Sequence, residues 1–341
     1  MTPANTAAAF DSLLTKAIAK RGPLNGAGTS EAVRLFSAEA DGLAGIFVDR
    51  YGSVAVLMLH EGVVARDADP ARLAQAVMQL AGVESVYLKV FPRDRSRLGG
   101  EPPESVTCAT PHLGRVAARA LQIREHGWLL EIRPYDGWST GLFLDQRENR
   151  KWVHDWVGQR AKRVGGTKAR VLNTFAYTCA FSVAAAAAGA ETTSVDVSAR
   201  YLEWGKRNFG LNQLAFDETS GHRFARMDTF EFFAYAIRKQ LRYDLIILDP
   251  PSFGSGNKRR GIRPWSAMED YARLVREAAS LLSPAGVILC STNTTGLCGA
   301  GRLEREISKG LGRQPRWLKL PPPPLDFREE RHRFAAVAFC P

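Results

Sequence analysis

Residues 170–197, RVLNTFAYTCAFSVAAAAAGAETTSVDV, decide the fold. RVLNTF (170–175) reads as a buried strand, the alanine-rich stretch to Ala188 as a helix, and TTSVDV (192–197) as a second strand. Helical periodicity resumes from Ser198, and YDLIILD (243–249), a helix near 269–282, GVILCST (286–292) and AAVAFC (335–340) continue the alternation. Strands alternating with helices specify an α/β architecture, a doubly wound and mainly parallel sheet.

Upstream the pattern changes. FDSLLTKAIAK (10–20) predicts a short helix that Gly22, Pro23, Gly26 and Gly28 interrupt. GIFVD, a turn at Tyr51-Gly52, SVAVLML, an amphipathic stretch at 71–80 and SVYLKVF then predict a smaller α+β domain. WLLEIRP (128–134) leads to an Asp136-Gly137 turn, where the larger domain begins. The expected division is a helix and linker over 1–30, the small domain over 31–130 and the catalytic domain over 131–341. Pro321–Pro324 read as a stiff connector before the last strand.

Composition narrows the chemistry. The 341 residues are 45% hydrophobic, enough for about two cores, and 46 basic against 35 acidic residues leave +11, which favours an anionic partner. Cys108, Cys179, Cys290, Cys298 and Cys340 are scattered without zinc-binding or disulfide spacing, so no metal is expected. The sequence has no membrane span and no leader pattern, and a cytoplasmic location is the expectation.

In a doubly wound sheet, ligands sit beyond the carboxyl ends of the strands where strand order reverses, so polar strand ends are the candidates. Asn173, Phe175 and Tyr177 lie in a turn feeding a helix N-terminus, which offers backbone N–H groups to a polar ligand. The turn lacks GxGxxG spacing and argues against a nicotinamide enzyme. Asp196 follows about 20 residues after the first turn, as a ribose-binding carboxylate does. Asp228 precedes Phe230, Phe232 and Phe233 and is placed to meet an adenine amine. Helix capping is the alternative for both aspartates. The most specific motif is Asp249-Pro250-Pro251-Ser252-Phe253, a stiff loop whose carbonyls can hold a base edge while Phe253 stacks on it.

The runs DGWSTGLFLDQRENR (136–150), VLNTFAYTCAFSVAAAAAGA (171–190), SVDVSARYLEWGKRNFGLN (194–212) and DLIILDPPSF (244–253) together resemble a known family. It is that of the class I, Rossmann-like methyltransferases of bacterial large-subunit ribosomal RNA, the group that includes the cytosine carbon-5 enzyme acting on 23S RNA. RLFSAEADGLAGIFVDRYGSVAVL (34–57) resembles that group's small domain, and the likeness runs over roughly 34–295. It implies S-adenosylmethionine as cofactor and RNA as partner. By position it implies that Thr140, Gly141, Phe143, Asp145, Gln146, Arg147 and Arg150 fold over the cofactor. Asn173, Phe175 and Tyr177 match the first cofactor loop, Asp196 the ribose acid, Asp228 the adenine contact, and Asp249, Pro250 and Pro251 the catalytic loop.

Two departures stand out. The cytosine enzymes need a cysteine thiolate to activate carbon 6, and their cysteine position falls here on Asn293. Cys290, three residues earlier in a strand, faces the other way by period two, and Cys298 reaches the site only if its loop folds back. Asn293 suits methylation of a nitrogen or oxygen, and resembling enzymes that methylate guanine nitrogen 7 also carry asparagine there. The leading RNA-binding barrel of the cytosine enzymes has no counterpart before Arg34. RNA affinity is therefore expected from Lys258, Arg259, Arg260 and Arg263 with Trp265, and from Arg93, Arg95 and Arg97. The rival expectations are a methyltransferase for a small molecule or protein and an idle cofactor- and RNA-binding module. The sequence leaves room for a homodimer.

Overall fold

A computed structural model describes residues 4–26, 30–94, 101–163, 165–217, 219–254, 256, 263–330 and 332–341. The chain divides into two compact units, Met1–Leu144 with Pro324–Glu329, and Asp145–Pro323 with Glu330–Pro341. The division falls at Leu144/Asp145, beyond the expected 130/131.

The first unit begins with α1 (Ala4–Gly26), followed by β1 (Ala32–Ser37), β2 (Ile46–Tyr51), β3 (Val54–His60), α2 (Pro70–Ala81), β4 (Ser85–Phe91) and β5 (Leu113–Gly114). The strands form one sheet in chain order, antiparallel except for β3 and β4, whose parallel pairing α2 bridges. Phe10, Leu14 and Ala17 of α1 and Leu73, Ala74 and Val77 of α2 cover one face of it. α1 runs through the expected break at Gly22-Pro23. Arg21, 3% exposed, forks onto Asp41 with Nη1–Oδ1 at 3.0 Å and Nη2–Oδ2 at 2.6 Å. A hairpin of β6 (Leu121–Glu125) and β7 (Trp128–Ile132) completes the unit. The segment after the proline run belongs here too: Asp326 accepts from Arg34 N at 2.9 Å, and the Arg34 guanidinium lies over Phe327.

The second unit contains α3 (Arg147–Arg163), β8 (Arg170–Thr174), α4 (Ala180–Ala187), β9 (Glu191–Asp196), α5 (Ala199–Leu211), β10 (His222–Arg226), α6 (Thr229–Arg238) and β11 (Tyr243–Leu248). A short ribbon, β12 (Phe253–Gly254) with β13 (Trp265–Ser266), precedes α7 (Ala267–Ala279), β14 (Leu282–Thr292), α8 (Arg302–Leu311), β15 (Arg316–Leu318) and β16 (Ala335–Cys340). The seven-stranded sheet has the order β10-β9-β8-β11-β14-β16-β15. Its first five strands are parallel and β16 is antiparallel to β14. Alternation along β11 separates the two faces. Leu245 and Ile247 pack with Val153 and Val157 of α3 and Phe181 of α4, whereas Ile246 and Leu248 pack with α6, α7 and α8. The chain runs outward from β8 through β9 to β10, then returns to β11 on the other side. The reversal falls between β8 and β11, and it is beyond the carboxyl ends of such strands that doubly wound sheets take their ligands.

Candidate functional site

The loop after β8 carries unusual backbone. Phe175, Tyr177 and Cys179 have φ of 52°, 50° and 61°, left-handed values that cost a non-glycine residue roughly 1 kcal/mol or more each. Neighbours hold them there. Ala176 N donates to Val195 O at 2.9 Å, Asn208 Nδ2 to Thr178 O at 2.8 Å, and Tyr177 N to Asp196 Oδ2 at 2.9 Å. The Ala176 and Tyr177 amides, two of those the sequence reading offered to a ligand, are thus engaged by the end of β9. Asn173 is buried, its Nδ2 donating to Ser182 Oγ at 2.9 Å.

Asp196 sits at the carboxyl end of β9, its second oxygen accepting from Ser198 N at 2.8 Å. Burial raises its pKa above the usual carboxylate range, against the pull of these two amides. Each oxygen keeps a further lone pair for a hydroxyl donor. Asp228 caps α6, with Oδ1 accepting from Phe230 N at 2.9 Å and Glu231 N at 3.3 Å. Nearby, Trp265 brings Phe175 and Phe230 together, with ring centroids 5.7 and 6.1 Å away.

Asp249 directly follows the carboxyl end of β11. Its Oδ1 accepts from Ser291 Oγ at 2.6 Å and from Gln146 Nε2 at 3.1 Å, and Gln146 Oε1 in turn accepts from Asn149 Nδ2 at 2.8 Å. Burial raises the Asp249 pKa, while Ser291, the Arg150 charge and Gln146 lower it in that order. Arg147 and Arg150, at the start of α3, are 0% and 2% exposed. Asp145 lies in the single turn Leu144–Gln146 ahead of them. Thr140, Gly141 and Phe143 belong to the first unit, where Thr140 Oγ1 donates to Tyr51 at 2.8 Å and Phe143 is exposed.

Pro250 is buried and Pro251 exposed, and Pro251 O accepts from Trp265 Nε1 at 2.6 Å. Phe253 is 73% exposed. Asn293, just past β14, is also exposed and accepts at Oδ1 from Ser252 Oγ at 3.0 Å. Cys290 lies in the core beside Ile288, its thiol pKa raised by burial. Cys298 is buried with its thiol on Thr292 O at 3.7 Å. Among the described residues no His, Cys, Asp or Glu group could hold a metal ion. Lys258, Arg259, Arg260, Arg95 and Arg97 lie outside the described residues, while Arg93 and Arg263 are exposed.

Ser291, Asn149 and Thr294 were missed in the sequence, and Ser252 was read only as part of the Asp249–Phe253 loop. Ser291 had a usable signal, since it lies one residue from the end of a strand and two before Asn293. Asn149 had none, being a polar residue on the buried side of a charged helix.

A family described as S-adenosylmethionine-dependent methyltransferase matches residues 108–310. The chain belongs to this family. Among relatives of this methyltransferase, a ribosomal RNA large subunit methyltransferase of Deinococcus radiodurans is 32% identical over 319 residues, covering 92% of this chain and 72% of the relative. Ribosomal RNA large subunit methyltransferase I of Klebsiella pneumoniae is 31% identical over 265 residues, 76% of this chain and 59% of the relative. A crystal structure of SMU.776 complexed with SAH superposes with a TM-score of 0.78 at 30% identity, covering 98% of this chain and 80% of that one. SAH is S-adenosylmethionine after methyl loss, which agrees with the cofactor expected from the sequence.

Proposed function

We propose that this methyltransferase transfers a methyl group from S-adenosylmethionine to a nitrogen or oxygen of a base in large-subunit ribosomal RNA. The Deinococcus relative, matched along 92% of the chain, carries the substrate assignment. The net charge of +11 and the exposed Phe253 and Asn293 beside the catalytic loop support it. A cytoplasmic place of action belongs to the same reading, and no described helix is long and apolar enough to cross a membrane.

Asp196 takes the ribose hydroxyls, Asp228 and the Phe175–Trp265–Phe230 cluster take the adenine, and the Asn173–Tyr177 loop takes the amino-acid end. Asp145, Gln146, Arg147 and Arg150 organise this site from the start of α3, with Phe143 just ahead of them. Asp249 binds through Oδ1 to Ser291 and Gln146, leaving Oδ2 for the ligand. The bound cofactor supplies a sulfonium-activated methyl group. An acceptor nitrogen or oxygen already has a lone pair, so the chain's task is alignment and acceptance of a proton. Burial raises the proton affinity of Asp249, which fits it to that acceptance. Pro250 and Pro251 stiffen the loop and Asn293 holds the base edge. No thiolate is needed, consistent with the core position of Cys290.

The test is transfer of labelled methyl to total bacterial RNA followed by analysis of the nucleosides. Label in an N- or O-methylated nucleoside of large-subunit RNA is expected. Label confined to protein or small molecules, or methylation at cytosine carbon 5, overturns the proposal.

A further inference from the structure

On its outer side β4 is paired with β5 only at Ser85 and Val86, and Pro92 follows the strand. The edge between them is open among the described residues. In a strand the N–H and C=O of one residue point to one neighbour and those of the next residue to the other. Phe91 O accepts from Glu61 N at 2.9 Å, which turns Tyr87, Lys89 and Phe91 toward β3. Glu84 O accepts from Arg115 N at 3.3 Å beside β5, which turns Leu88 and Val90 outward. Among the described residues neither Leu88 nor Val90 has a main-chain hydrogen-bond partner on that side. A hollow of about 310 Å³ lies there, within the size range of ligand sites. One wall is the consecutive run Tyr87–Val90, which only the edge of a strand presents, since a face shows every second residue. Thr110, His112 and Tyr135 line the other side. These walls are fixed to the strand. Tyr87 Oη donates to Ala109 O at 3.0 Å and accepts from Ala117 N at 3.0 Å, and its ring stacks on Tyr135 with centroids 5.3 Å apart. Lys89 Nζ holds Gly137 O and Trp138 O.

The Leu88 carbonyl and the Val90 N–H stand side by side as one acceptor and one donor, and the Watson–Crick edge of every nucleobase carries an adjacent donor and acceptor. A peptide strand needs a longer run of free edge than two outward residues, whereas a single base needs no more. Arg93, exposed three residues beyond Val90, and the net charge of +11 suit the attached phosphates. We infer that this hollow binds a base of the RNA substrate other than the one methylated, held by the Leu88 carbonyl and the Val90 N–H against Tyr135. The inference rests on the RNA reading above and adds a second point of RNA recognition, on the first unit.

The experiment measures kcat and KM for methyl transfer to large-subunit RNA, protein-free and in ribosomal particles, with cofactor affinity from calorimetry and Tm as controls. Ultraviolet crosslinking of the wild-type chain to the same RNA accompanies it. Val90→Pro removes the outward N–H and leaves the ladder to β3 whole, as proline on an edge strand can. It raises KM about three- to tenfold, the worth of one hydrogen bond, with kcat and cofactor affinity unchanged. Val90→Ala keeps the N–H and stays near the wild type. Thr110→Trp fills the hollow from an exposed position and raises KM likewise, so it carries the test if Val90→Pro unfolds. A crosslinked nucleotide is expected on Tyr135 or His112. Wild-type KM in these two variants, or no crosslink within 105–112 or 134–135, overturns the inference and leaves the RNA reading standing. A KM raised on particles but unchanged on protein-free RNA assigns the edge to a protein strand and overturns it as well. A wild-type chain that methylates neither form of the RNA overturns the reading and the inference together.

Discussion

Gly205 lies on α5 beneath the strained loop, and a Cβ built on it sits 2.9 Å from Cys179 Cβ and closer still to its Sγ. Alanine in place of a helical glycine ordinarily gains up to about 1 kcal/mol. Here Cys179 cannot yield freely. It is fully buried, its N–H is bonded to Ala176 O at 2.8 Å, and its backbone is already left-handed. Overpacking of this kind costs up to about 3 kcal/mol, so Gly205→Ala destabilises by a net ~1–2 kcal/mol. For a unit of this size that lowers Tm by about 2–8 °C. Because the displaced loop carries Phe175 and Tyr177, cofactor affinity falls by about tenfold or more, the equivalent of ~1.4 kcal/mol. Adding Cys179→Gly removes both colliding atoms and suits the φ of 61°. The double variant therefore returns to within about 1 kcal/mol of the wild type, a coupling typical of residues in contact. Thermal unfolding and calorimetric titration with S-adenosylmethionine, run on all four proteins of the cycle, measure this. A single variant with wild-type Tm and affinity, or a double variant no better than the single, would refute the reasoning.

Asp249→Asn keeps a carbonyl oxygen for Ser291 and Gln146 but removes a charge that burial opposes. The ionisation penalty is absent below the ordinary carboxylate range and grows as pH passes the raised folded pKa, so at neutral pH the variant melts no lower than the wild type. Its turnover falls about a hundredfold or more; calorimetry beside a transfer assay checks both. Lys89, 1% exposed, donates to Gly137 O at 2.7 Å and Trp138 O at 3.3 Å, and burial lowers its pKa from 10.5 to about 7. Between those values the unfolded chain holds a proton that the folded chain has released, so wild-type stability rises with pH relative to Lys89→Met, as denaturant titrations at several pH values will register. Cys290→Ala, losing one small buried group, costs about 1 kcal/mol and leaves turnover near that of the wild type. A folded but inactive Cys290→Ala enzyme reinstates a thiolate route.

The parallel strands were legible because strands buried on both faces are continuous apolar runs, and every residue of Tyr243–Leu248 is buried. α3 was not, since its inward side includes Arg147, Asn149 and Arg150, which erase the apolar periodicity. β10, HRFAR, is an edge strand with exposed arginines and leaves no alternation of the usual kind. Asp196 and Asp249 could be placed at strand ends from the sequence, and Asp228 only ahead of its aromatic run. Their partners could not: Gln146 and Ser291 reach Asp249 from 103 and 42 residues away, pairings that only strand order brings about. The expected break at Pro23 did not form: α1 continues to Gly26 with Pro23 inside it, and Arg21 just ahead forks onto Asp41.

The most direct measurement compares large-subunit ribosomal RNA from cells with and without the gene by nuclease digestion and mass spectrometry, then incubates the deficient RNA with the purified chain and S-adenosylmethionine. The account predicts one fragment lighter by a methyl group in the deficient RNA, restored by the wild type at a base nitrogen or oxygen and not by Asp249→Asn. Identical fragments from both strains, with no methyl taken up by the deficient RNA, would contradict it.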